Sequence, residues 1–169
     1  DLVAQLIRFE ELIEADAPMQ DVLPSIYYAN IDKYKGYHIC QLCQEMHDFY
    51  KDRQVSTLQE RLFLHDYLPE YVLNPQDANF EFQRGKGELV PLDEAEGRIA
   101  LEGALPYPPG VLCVQPGERW SKTACDYFLA LQEGINKLPG FAPEIQGVYI
   151  TPQPDGTKKA YGYVLKKEY

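Results

Sequence analysis

An α+β fold is predicted by three features of this chain. The apolar pattern is helical up to about residue 70, short strand-like runs follow it, and one long amphipathic helix is set among those runs. Helices come first and strands later, so the order lacks the regular alternation of a doubly wound parallel sheet. It predicts a small antiparallel or mixed sheet ending in a C-terminal β-hairpin.

Leu2 to Glu14 reads as the first helix: Leu2, Leu6, Phe9 and Ile13 recur at helical spacing, with Glu10, Glu11 and Glu14 off that stripe. Ala17-Pro18 ends it. A second helix is predicted from near Asp21, with Pro24 in its first turn, through Ile26, Tyr27 and Tyr28 toward Lys35-Gly36. A third spans about His38 to Lys51, with Ile39, Leu42, Cys43, Met46 and Tyr50 as its buried face. The fourth starts at Ser56, whose spacing to Gln59 is that of a capping box, and stops before Pro69. Short connections predict antiparallel helical hairpins.

Asn74 to Leu92 is irregular in pattern, with a short strand at Glu88-Leu89-Val90. Arg98 to Leu101 and Val111 to Val114 read as strands. Ser121 caps the clearest helix, with Ala124, Phe128, Leu131, Ile135 and Leu138 as its stripe, Lys137 in its last turn and Pro139-Gly140 as its stop. A hairpin closes the chain: Gly147 to Thr151, a Pro154-Asp155-Gly156 turn, then Lys159 to Leu165. Its alternation sets Tyr161 and Tyr163 opposite Ala160, Gly162 and Val164.

The 169 residues fit a single domain, and 45% hydrophobic composition argues against disorder. A formal net charge of −10 opposes binding to nucleic acid or anionic lipid and suits either a cationic ligand or plain solubility. No apolar run approaches the ~20 residues of a membrane helix, and the acidic, amphipathic start is unlike a signal peptide. The chain begins at Asp1, in mid-helix and without an initiator Met, which reads as an excised part of a longer polypeptide.

Cys40 and Cys43 have redox or metal-ligand spacing, but they sit in a helical pattern with no second pair. The simpler expectation for these two, Cys113 and Cys125 is reduced, buried thiols in a cytoplasmic protein. His38, His47 and His65 are too dispersed for a helical metal motif. The carboxylates Asp93, Glu94, Glu96 and Glu102 surround Arg98 in sequence; two of them could split acid and base roles, or all could be a solvated acidic segment. Glu118 is expected to cap the turn before the Ser121 helix.

Glu102 to Glu118 is the most informative stretch. Pro106, Pro108 and Pro109 fix φ and hold Leu105 and Tyr107 extended, and Gly110 and Gly117 mark turns. The result is a stiff elbow feeding a buried strand, suited to a wall or rim, with no nucleophile or base beside an obvious partner. Tyr107 either lines a pocket or, the simpler reading, anchors the elbow to the core.

Glu102 to Glu118, Tyr127 to Tyr149, Gln41 to Tyr50, Asn74 to Ala78 and Glu96 to Ala100 together resemble the C-terminal domain of the bacterial, pyridoxal-phosphate-dependent ornithine/lysine/arginine decarboxylases, and most closely the ornithine branch. That resemblance covers most of the chain. It implies an irregular α+β domain beside an upstream cofactor-binding domain, in a cytoplasmic homo-oligomer that decarboxylates a small cationic amino acid, here ornithine to putrescine. Family members bind the cofactor through a lysine directly following a histidine. None of Lys33, Lys35, Lys51, Lys86, Lys122, Lys137, Lys158, Lys159, Lys166 and Lys167 does so. The chain is therefore expected to hold no catalytic, cofactor-binding or metal residues and to be inactive alone. Pro106, Tyr107, Pro108, Pro109 and Gly110 are expected at a domain or subunit interface, or at the substrate entrance. Two alternatives are a stand-alone binding module, sensing a polyamine or joining another subunit, and an acid–base hydrolase using Glu94 and Glu102.

Overall fold

The computed structural model describes residues 1–107 and 110–167. It is α+β, as its sequence pattern predicts, and the chain divides into two compact units.

The first unit comprises Asp1–Arg53 and Leu138–Phe141. Helix α1, Leu2–Glu14, is capped by the Asp1 carboxylate, which accepts from the Val3 N–H at 3.0 Å. Its C-terminus closes as a Schellman motif: Asp16 is left-handed (φ 43°), its N–H donates to the Ile13 carbonyl, and the Ala17 N–H donates to Leu12. Where one second helix is predicted, three short ones occur: α2 (Met19–Val22), α3 (Pro24–Ala29) and α4 (Ile31–Tyr34). Pro24 forces the first break, because it disfavours a helical Leu23 (φ −131°) and begins α3 itself. At the second break Asn30 leaves the helical region, and its side-chain amide donates to the Ile26 carbonyl at 3.0 Å.

Helix α5, Ile39–Asp52, lies where the third helix is predicted, but its buried face is turned. Ile39, Leu42 and Phe49 are buried and Met46 half-buried, whereas Cys43 is exposed. The stripe is thus centred roughly 40° from the expected one, less than half the ~100° step between successive residues. Met19, Tyr27, Tyr34, Ile39 and Leu42 form this unit's core. Phe141 packs edge-on against Tyr34, and the Tyr34 hydroxyl donates to the Pro139 carbonyl at 2.8 Å.

The second unit comprises Gln54–Lys137 and Ala142–Tyr169. Helix α6, Val55–Arg61, starts from a left-handed Gln54 with no side-chain cap. The Ser56–Gln59 capping box is not formed: Ser56 lies inside the helix, and the Gln59 amide donates instead to the Tyr127 hydroxyl at 3.1 Å. The segment expected to be irregular contains α7, Pro75–Gln83. Asn74 caps it by accepting from the Asp77 N–H at 2.9 Å, and Pro75 occupies the first turn.

Strands β1 (Gly87–Pro91) and β2 (Leu105–Tyr107) precede helix α8 (Lys122–Lys137), and β3 (Glu144–Gln146), β4 (Tyr149–Pro152) and β5 (Lys158–Leu165) follow it. One antiparallel sheet has the order β1-β5-β4; a second pairs β2 with β3. The Ser121 hydroxyl caps α8, accepting from the Ala124 N–H at 3.1 Å. Helix α8 packs on α6 and β5, burying Phe128, Leu131 and Ile135. Trp120, almost fully buried, meets Phe128 edge-to-face at 5.9 Å. Burial of each such side chain contributes about 1.5–3 kcal/mol. On the buried face of β5, Ala160 and Val164 flank Gly162, where a Cβ would come within 3.1 Å of the Trp120 ring. That contact explains the glycine in the alternation.

Arg98 to Leu101 and Val111 to Val114 are not strands. Ile99, Ala100 and Ala104 make only isolated bridges, to Arg119, Val164 and Val114. Gly97, Gly110 and Gly117 take positive φ and bend the backbone away before a ladder can extend.

Candidate functional site

The elbow is positioned by two pairings. Strand β2 runs antiparallel to β3 with Leu105 opposite Gln146, Pro106 opposite Ile145 and Tyr107 opposite Glu144. Below it, Ala104 bridges Val114, with the Ala104 N–H donating to the Val114 carbonyl at 2.9 Å and the Cys113 N–H returning to Ala104 at 2.9 Å. The loop between turns at Gly110 (φ 79°), whose N–H donates to the Pro106 carbonyl at 3.2 Å. Pro108 and Pro109 lie outside the described residues.

This geometry corrects the simpler reading of Tyr107. Its side chain does not anchor the elbow to the core: Tyr107 is 51% exposed, and its ring lies 3.0 Å from where a Gly110 Cβ would stand. Val111 (49%) and Leu112 (43%) are exposed as well, so only Cys113 and Val114 of the expected buried strand go inside. The elbow presents an aromatic and two aliphatic side chains outward.

Beside its base, Glu102 accepts the Tyr149 hydroxyl hydrogen at 2.7 Å. That hydrogen bond, with partial burial, pushes the Tyr149 pKa up to about 12. Tyr149 meets Tyr163 edge-on at 5.4 Å, and Tyr163 meets Phe82 at 5.1 Å, so an aromatic row crosses the sheet and ends on Glu102. The strand alternation that groups Tyr161 with Tyr163 could have signalled the row, but not its carboxylate end.

The acidic segment does not converge. Asp93 pairs with Lys159 at 3.1 Å, Glu102 holds Tyr149, and Arg98 reaches Glu88 and the Leu165 carbonyl at 2.5 and 2.8 Å. The acid–base pairing of Glu94 with Glu102 thus gains no support from these contacts. Glu118 behaves as expected, accepting from the Gln115 N–H at 2.8 Å within its own turn. Among the described residues no three His, Cys, Asp or Glu side chains group to hold a metal. All four cysteines are free; Cys40 and Cys43 are exposed, contrary to the buried thiols expected, while burial pushes Cys113 up to about 11 and Cys125 up to about 12.

A pyridoxal phosphate Schiff base requires a lysine that can give up its proton. No lysine among the described residues is buried. Hydrogen bonds to Asp126 and Asp93 hold Lys122 and Lys159 above the usual lysine range. Partial burial opposes the same effect at Lys33, where bonds to Glu45 and Tyr37 prevail. These residues do not fit the cofactor, and no chemical step is assigned to them.

A cleft of about 350 Å³ lies behind β3, lined by Ile135, Pro143, Ile145, Val148 and Ile150 with Lys158 its one charged group. It and the elbow share β3, since Ile145 stands opposite Pro106. Aliphatic walls with a single cation can bind but supply no acid–base pair.

A family model described as Orn/Lys/Arg decarboxylase, C-terminal domain, matches residues 56–166. An ornithine decarboxylase of Haemophilus influenzae is 65% identical over 164 residues, covering 97% of this chain and 23% of that protein. An inducible ornithine decarboxylase of Escherichia coli K12 is 58% identical over 165 residues, 98% of this chain and 22% of the relative. The solved structure of lysine decarboxylase A from Pseudomonas aeruginosa superposes with a TM-score of 0.88 at 32% identity, covering 98% of this chain and 22% of that one. The chain thus spans under a quarter of the length of the proteins it matches.

Proposed function

The chain belongs to the Orn/Lys/Arg decarboxylase C-terminal-domain family, and from that premise we propose that it serves as the C-terminal part of a pyridoxal-phosphate-dependent ornithine decarboxylase. One observation carries the ornithine assignment: identity to the Haemophilus influenzae ornithine decarboxylase is 65%, against 33% to the lysine decarboxylase LdcA of Pseudomonas aeruginosa, each over more than nine-tenths of the chain. The upstream polypeptide binds the cofactor and carries the Schiff-base lysine. This part shapes the substrate entrance and the contacts between domains and subunits of a homo-oligomer, through the outward Tyr107, Val111 and Leu112.

The electrostatics agree with such a role. A net charge of −10 draws a diamine or basic amino acid by long-range attraction, so kcat/KM should fall as salt rises. Four free thiols fit a cytoplasmic setting. No helix among the described residues is long and apolar enough to cross a membrane.

The test is release of carbon dioxide by the whole gene product with pyridoxal phosphate and ornithine, lysine or arginine in turn. Turnover selective for ornithine, with none by these 169 residues alone, is expected. A whole protein that turns over none of the three would refute the assignment.

A further inference from the structure

Helix α1 carries an apolar surface with nothing seated on most of it. No residue of its 13 is buried. Leu2 is 74% exposed, Leu6 59% and Ile7 51%, with Val3 and Phe9 also open to solvent. At its C-terminal end Leu12 and Ile13 are half-buried, and Ile13 packs against the first unit's core. On a helical projection Leu2, Leu6, Phe9 and Ile13 make one stripe, and Val3 and Ile7 widen it along one side. A helix so apolar over its first three turns is built to be covered.

We propose that this face of α1 docks onto the preceding part of the same polypeptide, the upstream region that the fourfold longer relatives contain. The inference rests on the reading of this chain as part of a longer decarboxylase. Three observations select this occupant over a second copy. The chain covers 22–23% of the length of the relatives, and the match is to a C-terminal domain, so most of the length of those relatives lies upstream of the part that matches. A 13-residue helix is about 20 Å long and offers a few hundred Å² on one face, roughly half or less of the ~800 Å² per partner typical of a stable free-standing interface. A tethered partner needs less, because its effective concentration reaches the millimolar range. Finally, Glu10 and Glu14 lie beside the stripe, and self-pairing would bring them together across two chains that each carry −10.

The experiment places a photo-crosslinking amino acid at Leu6 in the whole gene product, with the same substitution at Arg8, on the opposite side of α1, as control. Peptide mapping after irradiation and denaturation reads the contact. The expected result is a product of single-chain mass joining position 6 to a residue upstream of these 169, at least fivefold more abundant than from position 8. A product of twice the chain mass overturns the proposal, as does a crosslink within the 169 residues. So does a gene product no longer than this chain. Failure to crosslink, with α1 amides exchanging as fast as those of an unfolded peptide, overturns it too. Ornithine turnover by the unmodified protein is measured in parallel; an inactive protein with the intrachain crosslink refutes the enzymatic reading and leaves the docking intact.

Discussion

Asp16 caps a helix that begins 23 residues after it: its Oδ1 accepts the Cys40 N–H at 3.1 Å, in the first turn of α5. The same residue ends α1 in a left-handed conformation, and its carbonyl lies 2.5 Å from the His38 Nδ1. One aspartate thereby closes one helix and opens another. Helix α5 has no side-chain cap of its own from His38, which is why the distant carboxylate matters. Asp16→Ala should cost about 1–2 kcal/mol, combining a lost cap with a Cβ-bearing residue that tolerates positive φ poorly. Asp16→Asn, which keeps both abilities, should cost under ~0.5 kcal/mol. Urea midpoints at unchanged slope read the difference; equal losses would mean that the cap contributes nothing.

Gly147 has a stricter requirement. Its φ is 73°, and a Cβ there would stand 1.9 Å from the Gly103 carbonyl oxygen. Gly147→Ala should therefore push β3 off the segment that feeds β2, at a cost of about 3 kcal/mol or more. Gly156, in the hairpin turn, has φ 86° but open space around it, so Gly156→Ala should cost only about 1 kcal/mol of backbone strain. Thermal denaturation of both variants separates collision from conformation; similar losses at the two positions would sink the close-contact argument.

Asn136 closes a gap between α8 and β5. Its amide nitrogen donates to the Lys158 carbonyl at 2.8 Å, and its oxygen accepts the Lys158 N–H at 2.7 Å. One turn earlier, the Gln132 oxygen accepts the Ala160 N–H at 2.6 Å. Both side chains satisfy an edge that would otherwise be left to water. Asn136→Ala should lose about 1 kcal/mol, modest because the site is exposed. Asn136→Asp keeps the acceptor but sets a carboxylate against a carbonyl, so it should be less stable than Ala at pH 7 and recover as the pH falls through the carboxylate's pKa. A pH-independent Asp variant would contradict this.

What the sequence displayed, and what it hid, follows from the range of the interactions. The α8 stripe, the Ser121 cap and the alternation of β5 were legible because each is local. Helix α7 was missed: Asn74 followed by Pro75 is a start signal, but the weak periodicity of Pro75–Gln83 masked it. The α5 rotation could not be read, because the choice between Cys43 and Phe49 as inward residue depends on what packs there. The cap of α5 comes from a carboxylate distant in sequence, and α6 starts from a left-handed Gln54 with no side-chain cap, so neither start is marked by its nearest polar residue. At the elbow, proline spacing revealed stiffness, but outward or inward placement of Tyr107 depends on β3, about 40 residues later.

The thiols offer a direct check of that α5 rotation. With Ellman's reagent at pH 8, Cys40 and Cys43 should react in the folded chain, while Cys113 and Cys125 should react only on unfolding. The buried pair is doubly protected, by inaccessibility and by pKa values near 11 and 12. Protection of Cys43 in these 169 residues would return it to the buried face.

Tyr107 and Gly110 test the elbow's proposed role in the whole gene product. Because Tyr107 is half exposed here, Tyr107→Ala should change the stability of these 169 residues by less than about 1 kcal/mol. In the full-length protein, where the elbow is proposed to be covered, the same change should weaken subunit assembly or raise KM for ornithine severalfold. Gly110→Ala should act in the same direction by another route: its Cβ would stand 3.0 Å from the Tyr107 ring at a positive φ, displacing the ring without deleting it. Sedimentation and steady-state kinetics on the two variants decide the matter. Unchanged oligomer size and unchanged KM in both would leave the elbow as a solvent-facing loop with no part in assembly or entry. Loss with Tyr107→Ala alone would assign the contact to the ring itself and not to its orientation.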